Sequence, residues 1–148
     1  MNGYEVSDDR TRLDVNVIWE YLRTAYWSEN VPRDVIARAI EGSLCLGLYA
    51  PDRSQAGFAR AVTDSATFAW IADVFVLEQH RGRGLGVWLV EQLLEHPRMQ
   101  GLRTITLNTL DAHSLYERFG FERVGERRMV RSVSPAELYG TPAEKLTE

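Results

Sequence analysis

The residues best suited to chemistry lie in one loop, where Gly82, Gly84 and Gly86 alternate with Arg83 and Leu85 and follow Arg81. Glycine lets a backbone turn sharply and lets a ligand approach without a Cβ in the way. An apolar strand, Val74–Leu77, leads into the loop, and an amphipathic helix leaves it. At a helix mouth such a loop points several unpaired N–H groups at one spot, and the helix dipole adds positive potential there. The chemistry implied is anion binding, above all of a phosphate. Each charge-assisted hydrogen bond contributes about 1.5–3 kcal/mol, so four or five could hold a pyrophosphate. A Walker loop would end in Gly-Lys-Ser/Thr, which is missing. A dinucleotide fingerprint needs its third glycine one residue later and opens a βαβ unit. The pattern that fits is Arg/Gln-x-x-Gly-x-Gly/Ala, met by Arg81, Gly84 and Gly86.

The elements that must position this loop can be read from hydrophobic periodicity. Leu13, Val17, Ile18, Tyr21, Leu22 and Ala25 recur at helical spacing, and Pro32 opens a second helix carrying Val35, Ile36, Ala39 and Ile40. Leu44, Leu46 and Leu48 alternate with Cys45, Gly47 and Tyr49 as a strand. A turn at Pro51–Ser54 leads to a partner strand, Ala56–Val62, and a second turn at Thr63–Ser65 leads into the long run Thr67–Leu77. The helix after the loop is expected to bury Val87, Val90 and Leu94, with Leu89 and Leu93 alongside, until His96-Pro97 ends it. Leu102–Thr109 reads as a strand, Ala112–Phe119 as a short helix closed by Gly120, and Phe121–Val124 with Arg127–Val133 as a final hairpin. Residues 1–12 predict a short edge strand, and residues 134–148 a peripheral tail on a single domain spanning 1–148.

Composition narrows the function classes. The 148 residues are 45% hydrophobic and 26% charged with a net charge of −4, which argues against general affinity for nucleic acid or an anionic membrane. Lys145 is the one lysine among 17 basic residues. Cys45 is the single cysteine, so no internal disulfide forms, and its apolar setting reads as core. The amino terminus has no apolar signal segment and no apolar run approaches ~20 residues, so a cytoplasmic protein is expected.

A second constellation, Ala112, Leu115, Tyr116, Gly120 and Phe121, follows the loop. The two motifs together, covering residues 74–121, resemble the GNAT superfamily of N-acetyltransferases. That family carries the first pattern as its coenzyme A loop and a segment close to Asn-x-x-Ala-x-x-Leu-Tyr-x-x-x-Gly-Phe as the second. Thr109 stands at the asparagine position, so Asn108 or Asp111 is the substitute contact to weigh. The resemblance implies an α/β (mixed α+β) fold: a splayed, mostly antiparallel mixed sheet flanked by helices. It implies acetyl-CoA as donor and no metal. The donor would be held by Val74, Val76, Arg81, Gly82, Arg83, Gly84, Leu85, Gly86, Asn108 and Tyr116. Val74 and Val76 would pair with the pantetheine amides as a strand edge pairs with a peptide. A small-molecule or peptide amine would attack the thioester directly, and Tyr116 would protonate the departing thiolate.

No general base announces itself. Asp73, beside the pantetheine strand, is the leading candidate, with Glu29, Asp64 and His113 behind it. Tyr26, Trp27, Phe58 and Trp70 read either as core or as an acceptor wall, with Glu29 or Asp64 attracting a cationic amine. His80 abuts the loop as a cation or as a plain turn residue. A homodimer is compatible with the sequence, and so is a non-catalytic coenzyme A sensor on the same fold.

Overall fold

Five strands form one sheet in the order β1-β2-β3-β4-β5: β1 Glu5–Ser7, β2 Leu44–Tyr49, β3 Gln55–Thr63, β4 Phe68–Val76 and β5 Thr104–Leu107. The computed structural model describes residues 1–141. These form two compact units, one of residues 1–13 and 40–122, the other of residues 14–39 and 123–141. The sheet belongs to the first unit. Its first three pairings are antiparallel, as short turns allow, whereas β4 and β5 run parallel. A parallel pair requires a crossover, which helix α3, Leu85–Glu95, supplies.

The leucine alternation decides which face is core. Leu44, Leu46 and Leu48 of β2, Ala59 and Ala61 of β3, and Ala69 and Ile71 of β4 pack with Leu85, Leu89 and Leu93 of α3. The buried stripe of α3 is therefore Leu85, Leu89, Val90 and Leu93. Val87 and Leu94, expected inside, are only half-buried, because the stripe starts one turn earlier, in the glycine loop itself. The other face buries Cys45, Tyr49, Phe58, Asp73 and Phe75.

One irregularity matters for function. Arg60 pairs with Asp73 but Ala61 pairs with Ile71, so β4 holds an extra residue, Ala72, opposite one step of β3. A bulge shifts side-chain phase and bends its strand. Ala69 and Ile71 face α3 before it; after it Val74 and Val76 do so, while Asp73 and Phe75 turn to the opposite face. The pairing with β5 ends at Ile71↔Leu107, immediately before the bulge.

In the second unit, Asp14 caps α1, Val15–Leu22, by accepting from the N–H groups of Asn16 and Val17. Trp19 Nε1 donates to the Val31 carbonyl at 2.8 Å, tying the helix to the chain that leads into α2, Arg33–Glu41. Asn30 Nδ2 donates to the carbonyl of Tyr139, so the expected tail contributes a short helix, α5 Pro135–Tyr139, to this unit. Residues 142–148, including Lys145, lie outside the described residues.

The expected hairpin of Phe121–Val124 and Arg127–Val133 does not form: no strand occurs there. Val124, Met129, Val130 and Val133 are all more than half exposed. Arg127 and Arg128 fall on both phases of a period-two pattern, so neither face offers an unbroken apolar set to bury. In the first unit, helix α4, His113–Glu117, is closed by Gly120 at φ 87°, the left-handed cap the sequence predicts.

Candidate active site

The candidate site rests on the strand edge beyond the bulge. Leu77 donates its N–H to the Ala56 carbonyl at 2.8 Å, which points Leu77 toward β3. By strand alternation Val76 and Val74 direct their backbone groups the other way, toward the edge that β5 has left. The splay thus begins within β4, at Ala72. The Val76 carbonyl, expected free, accepts from Arg81 Nε at 2.9 Å. Arg81 therefore braces the loop against the strand edge as well as adding charge.

The loop follows within a few residues. A 3₁₀ turn, Glu78–His80, lifts the chain out of the sheet, and Gly82 and Gly84 then take φ of 80° and 78°. A side chain at either position would be strained in this left-handed region. Gly84 caps α3, whose first helical bond runs from Trp88 N–H to the Gly84 carbonyl at 3.2 Å. The N–H groups of Leu85, Gly86 and Val87 thus have no partner inside the helix. A Cβ at Gly82 would meet nothing within 4 Å, so the space beside the loop is open. Arg83 is exposed beside it. Backbone N–H groups at a helix N-terminus, with open space beside Gly82 and next to a strand edge that β5 no longer pairs, fit a phosphate joined to an extended amide-bearing arm.

Tyr116 sits on α4, half-buried, its ring edge-on to Phe121 at 5.8 Å between centroids. Gly120 makes that contact possible, since its left-handed turn brings Phe121 N–H back to the Tyr116 carbonyl at 3.3 Å. Thr109 Oγ1 accepts from Ala112 N–H at 3.0 Å, so the residue at the asparagine position caps the approach to α4. Asn108 is exposed just after β5.

The carboxylates divide sharply. Asp73 accepts from Arg60 Nε at 2.8 Å, with side chains only 6% and 15% exposed. Arg60 also reaches Ser43 Oγ at 3.0 Å, and the Ser43 carbonyl accepts from Arg10. Asp73 is thus anchored in a buried polar network. Asp64 accepts from Thr67 Oγ1 at 2.6 Å and from the N–H groups of Thr67, Ala66 and Phe68. Those bonds, the Thr67 hydroxyl first, hold its carboxyl well below the usual range, so it is a turn clasp and unsuited to accept a proton near neutrality.

The aromatic wall is not uniform. Phe58 is fully buried, packed against Phe75 at 6.0 Å, and is core. Trp70 is 40% exposed on the face opposite α3, with Phe68 and Val62 exposed nearby on the same strands. In the second unit Tyr26 and Trp27 stack edge-on at 5.0 Å, both exposed, with Glu29 half-buried two residues on. His113 opens α4. Burial raises the Cys45 thiol to about 11, as expected of an inert core residue.

Two groupings went unread in the sequence. Arg60 sits between Ala59 and Ala61, and Asp73 lies in an equally apolar strand. Opposite charges in neighbouring apolar strands were a usable signal. The contact of Tyr4 with His80 joins residues 76 positions apart and left no local signal.

With this geometry in hand, comparison with known proteins gives a consistent answer. Residues 43–123 match the acetyltransferase (GNAT) domain. A Gibberella zeae protein, named provisionally as an acetyltransferase, is 30% identical over 95% of this chain and 92% of its own. A Xanthomonas campestris crystal structure, described as belonging to the GNAT family, is 42% identical with a TM-score of 0.89, covering 95% of this chain and 99% of the other. A Deinococcus radiodurans structure shares the fold at 20% identity and a TM-score of 0.72, over 95% of each chain. The chain belongs to the GNAT acetyltransferase family. Among the described residues no helix is long and apolar enough to cross a membrane.

Proposed function

We propose that the protein transfers an acetyl group from acetyl-CoA to a primary amine of a small molecule or peptide. The observation that carries this reading is the junction of the β4 edge beyond Ile71, where pairing with β5 ends, with the glycine-capped N-terminus of α3. The strand edge pairs with the pantetheine amides, and the loop N–H groups take the pyrophosphate. The amine nitrogen bonds to the thioester carbonyl carbon, whose oxygen gains charge that a backbone N–H of the β4 edge stabilises. The C–S bond then breaks, and Tyr116 gives its proton to the leaving thiolate. With Asp64 clasped in its turn and Asp73 bound to Arg60, water or His113 is the route by which the amine loses its proton. Trp70, exposed on β4, suits an acceptor with an apolar body.

Intact-mass detection of acetyl transfer across a panel of amines tests the reading, with calorimetry of acetyl-CoA binding beside it. Gly84→Asp puts a side chain and a negative charge at the phosphate, and should abolish binding while the circular dichroism spectrum is kept. Undiminished affinity in a folded Gly84→Asp variant overturns the loop assignment. Tight acetyl-CoA binding with no acetylated amine would indicate a coenzyme A sensor.

A further inference from the structure

The first four residues fold against the glycine loop. Tyr4 N–H bonds the Met1 carbonyl at 2.9 Å, closing a turn through Asn2 and Gly3, both left-handed. Pro51 packs under Gly3, where a Cβ would lie 3.0 Å from its Cγ. Met1 Cε reaches to 3.7 Å from the position a Cβ would occupy on Gly84. Tyr4, packed on the core cluster, places its hydroxyl 2.8 Å from His80 Nδ1, with the two rings edge-on at 5.6 Å. His80 ends the 3₁₀ turn that carries the chain from β4 to Gly82, and its N–H is already bound to the Leu77 carbonyl.

We propose that Tyr4 is a positioning residue that aims the His80 imidazole at the donor's phosphates. With Nδ1 engaged by the Tyr4 hydroxyl, Nε2 is the nitrogen left to meet a phosphate oxygen. The anchoring is rigid on both sides, because the ring is fixed by Tyr4 and the backbone by Leu77. The charged groups around it are Glu78 on the same turn, Asp52 on the β2–β3 turn, and Arg81 and Arg83 in the loop. Asp52 is itself bound to Ser54, through both the hydroxyl and the N–H, so it does not take Tyr4's place on the ring. A bond from His80 to phosphate makes the affinity for the phosphate-bearing donor depend on a residue at the start of the chain, outside the loop motif.

This inference rests on the acetyl-CoA reading above, and the test separates the two. Acetyl-CoA affinity is measured for His80→Leu, His80→Gln and Tyr4→Phe beside wild type and Gly84→Asp. Turnover is measured with acetyl-CoA and with S-acetylpantetheine, which has no phosphates. His80→Leu should weaken acetyl-CoA binding roughly 10-fold or more, the share of one charge-assisted hydrogen bond. His80→Gln, whose amide can still donate, should recover most of it, and Tyr4→Phe should weaken binding severalfold with the melting temperature kept. None should change kcat/KM with S-acetylpantetheine, a quantity that a merely structural role would lower along with the first. If His80→Leu binds acetyl-CoA as wild type does while Gly84→Asp does not, the His80 role is overturned and the loop stands. Equal losses with both donors overturn it as well. If His80→Leu fails to fold, Tyr4→Phe and His80→Gln decide by the same ratio. A wild type that does not bind acetyl-CoA sinks both readings.

Discussion

Replacing Asp73 with Asn removes the charge that faces Arg60 inside the sheet while keeping the shape of the side chain. The Arg60 Nε to Asp73 Oδ2 distance is 2.8 Å and neither side chain is more than 15% exposed, so screening by water and salt is weak. Charges about 4 Å apart attract by roughly 4 kcal/mol at the effective dielectric that suits partly buried pairs. Removing one member of a buried pair costs about 3–5 kcal/mol, because the other charge is left buried without compensation. Arg60 keeps its bond to Ser43 Oγ, and the Asn carbonyl can still accept, so the lower end applies, about 3 kcal/mol. For a chain of this size that is a fall in melting temperature of roughly 6–12 °C. Calorimetric melting of Asp73→Leu, Arg60→Met and the Asp73→Leu/Arg60→Met double variant, beside Asp73→Asn, completes the cycle. The double variant should regain much of the loss, since an apolar pair needs no desolvation. Singles within about 1 kcal/mol of wild type refute the strut. A variant that melts like wild type but turns over far more slowly would instead make Asp73 the base.

Three further outcomes follow from the site. Tyr116→Phe keeps the ring contact with Phe121 and deletes the proton donor, so turnover should drop by roughly 10²–10⁴ with acetyl-CoA affinity little changed; full turnover removes Tyr116 from the mechanism. Burial raises the Cys45 thiol from 9.0 to about 11, so the native state holds that proton more tightly than the unfolded chain. Its contribution is complete below the unfolded value and fades as pH climbs from about 9 toward 11; thiol labelling at pH 8 should be slow until denaturant is added, and rapid native labelling contradicts this. Toward a cationic amine, kcat/KM should rise with pH as free amine forms; a flat profile contradicts attack by the free amine.

The sequence by itself determined the loop, the order of elements as far as α4 and the family. Glycines at 82 and 84 announce left-handed backbone, and leucines at 44, 46 and 48 announce a half-buried strand, because both signals are local steric or burial rules. Gly120 likewise announced the end of α4 and so placed Phe121 against Tyr116. What tertiary structure alone decided is where periodicity breaks and which distant side chains meet. The bulge at Ala72 carries no residue signature, yet it flips the phase of β4, opens its edge and turns Asp73 inward to Arg60. The hairpin read into residues 121–133 failed for the converse reason: local propensity was present, but no apolar face was there to reward the ordering of the chain. Tyr4 reaches His80 only because β1 and the 3₁₀ turn after β4 are brought together by the sheet, at a separation no local pattern encodes.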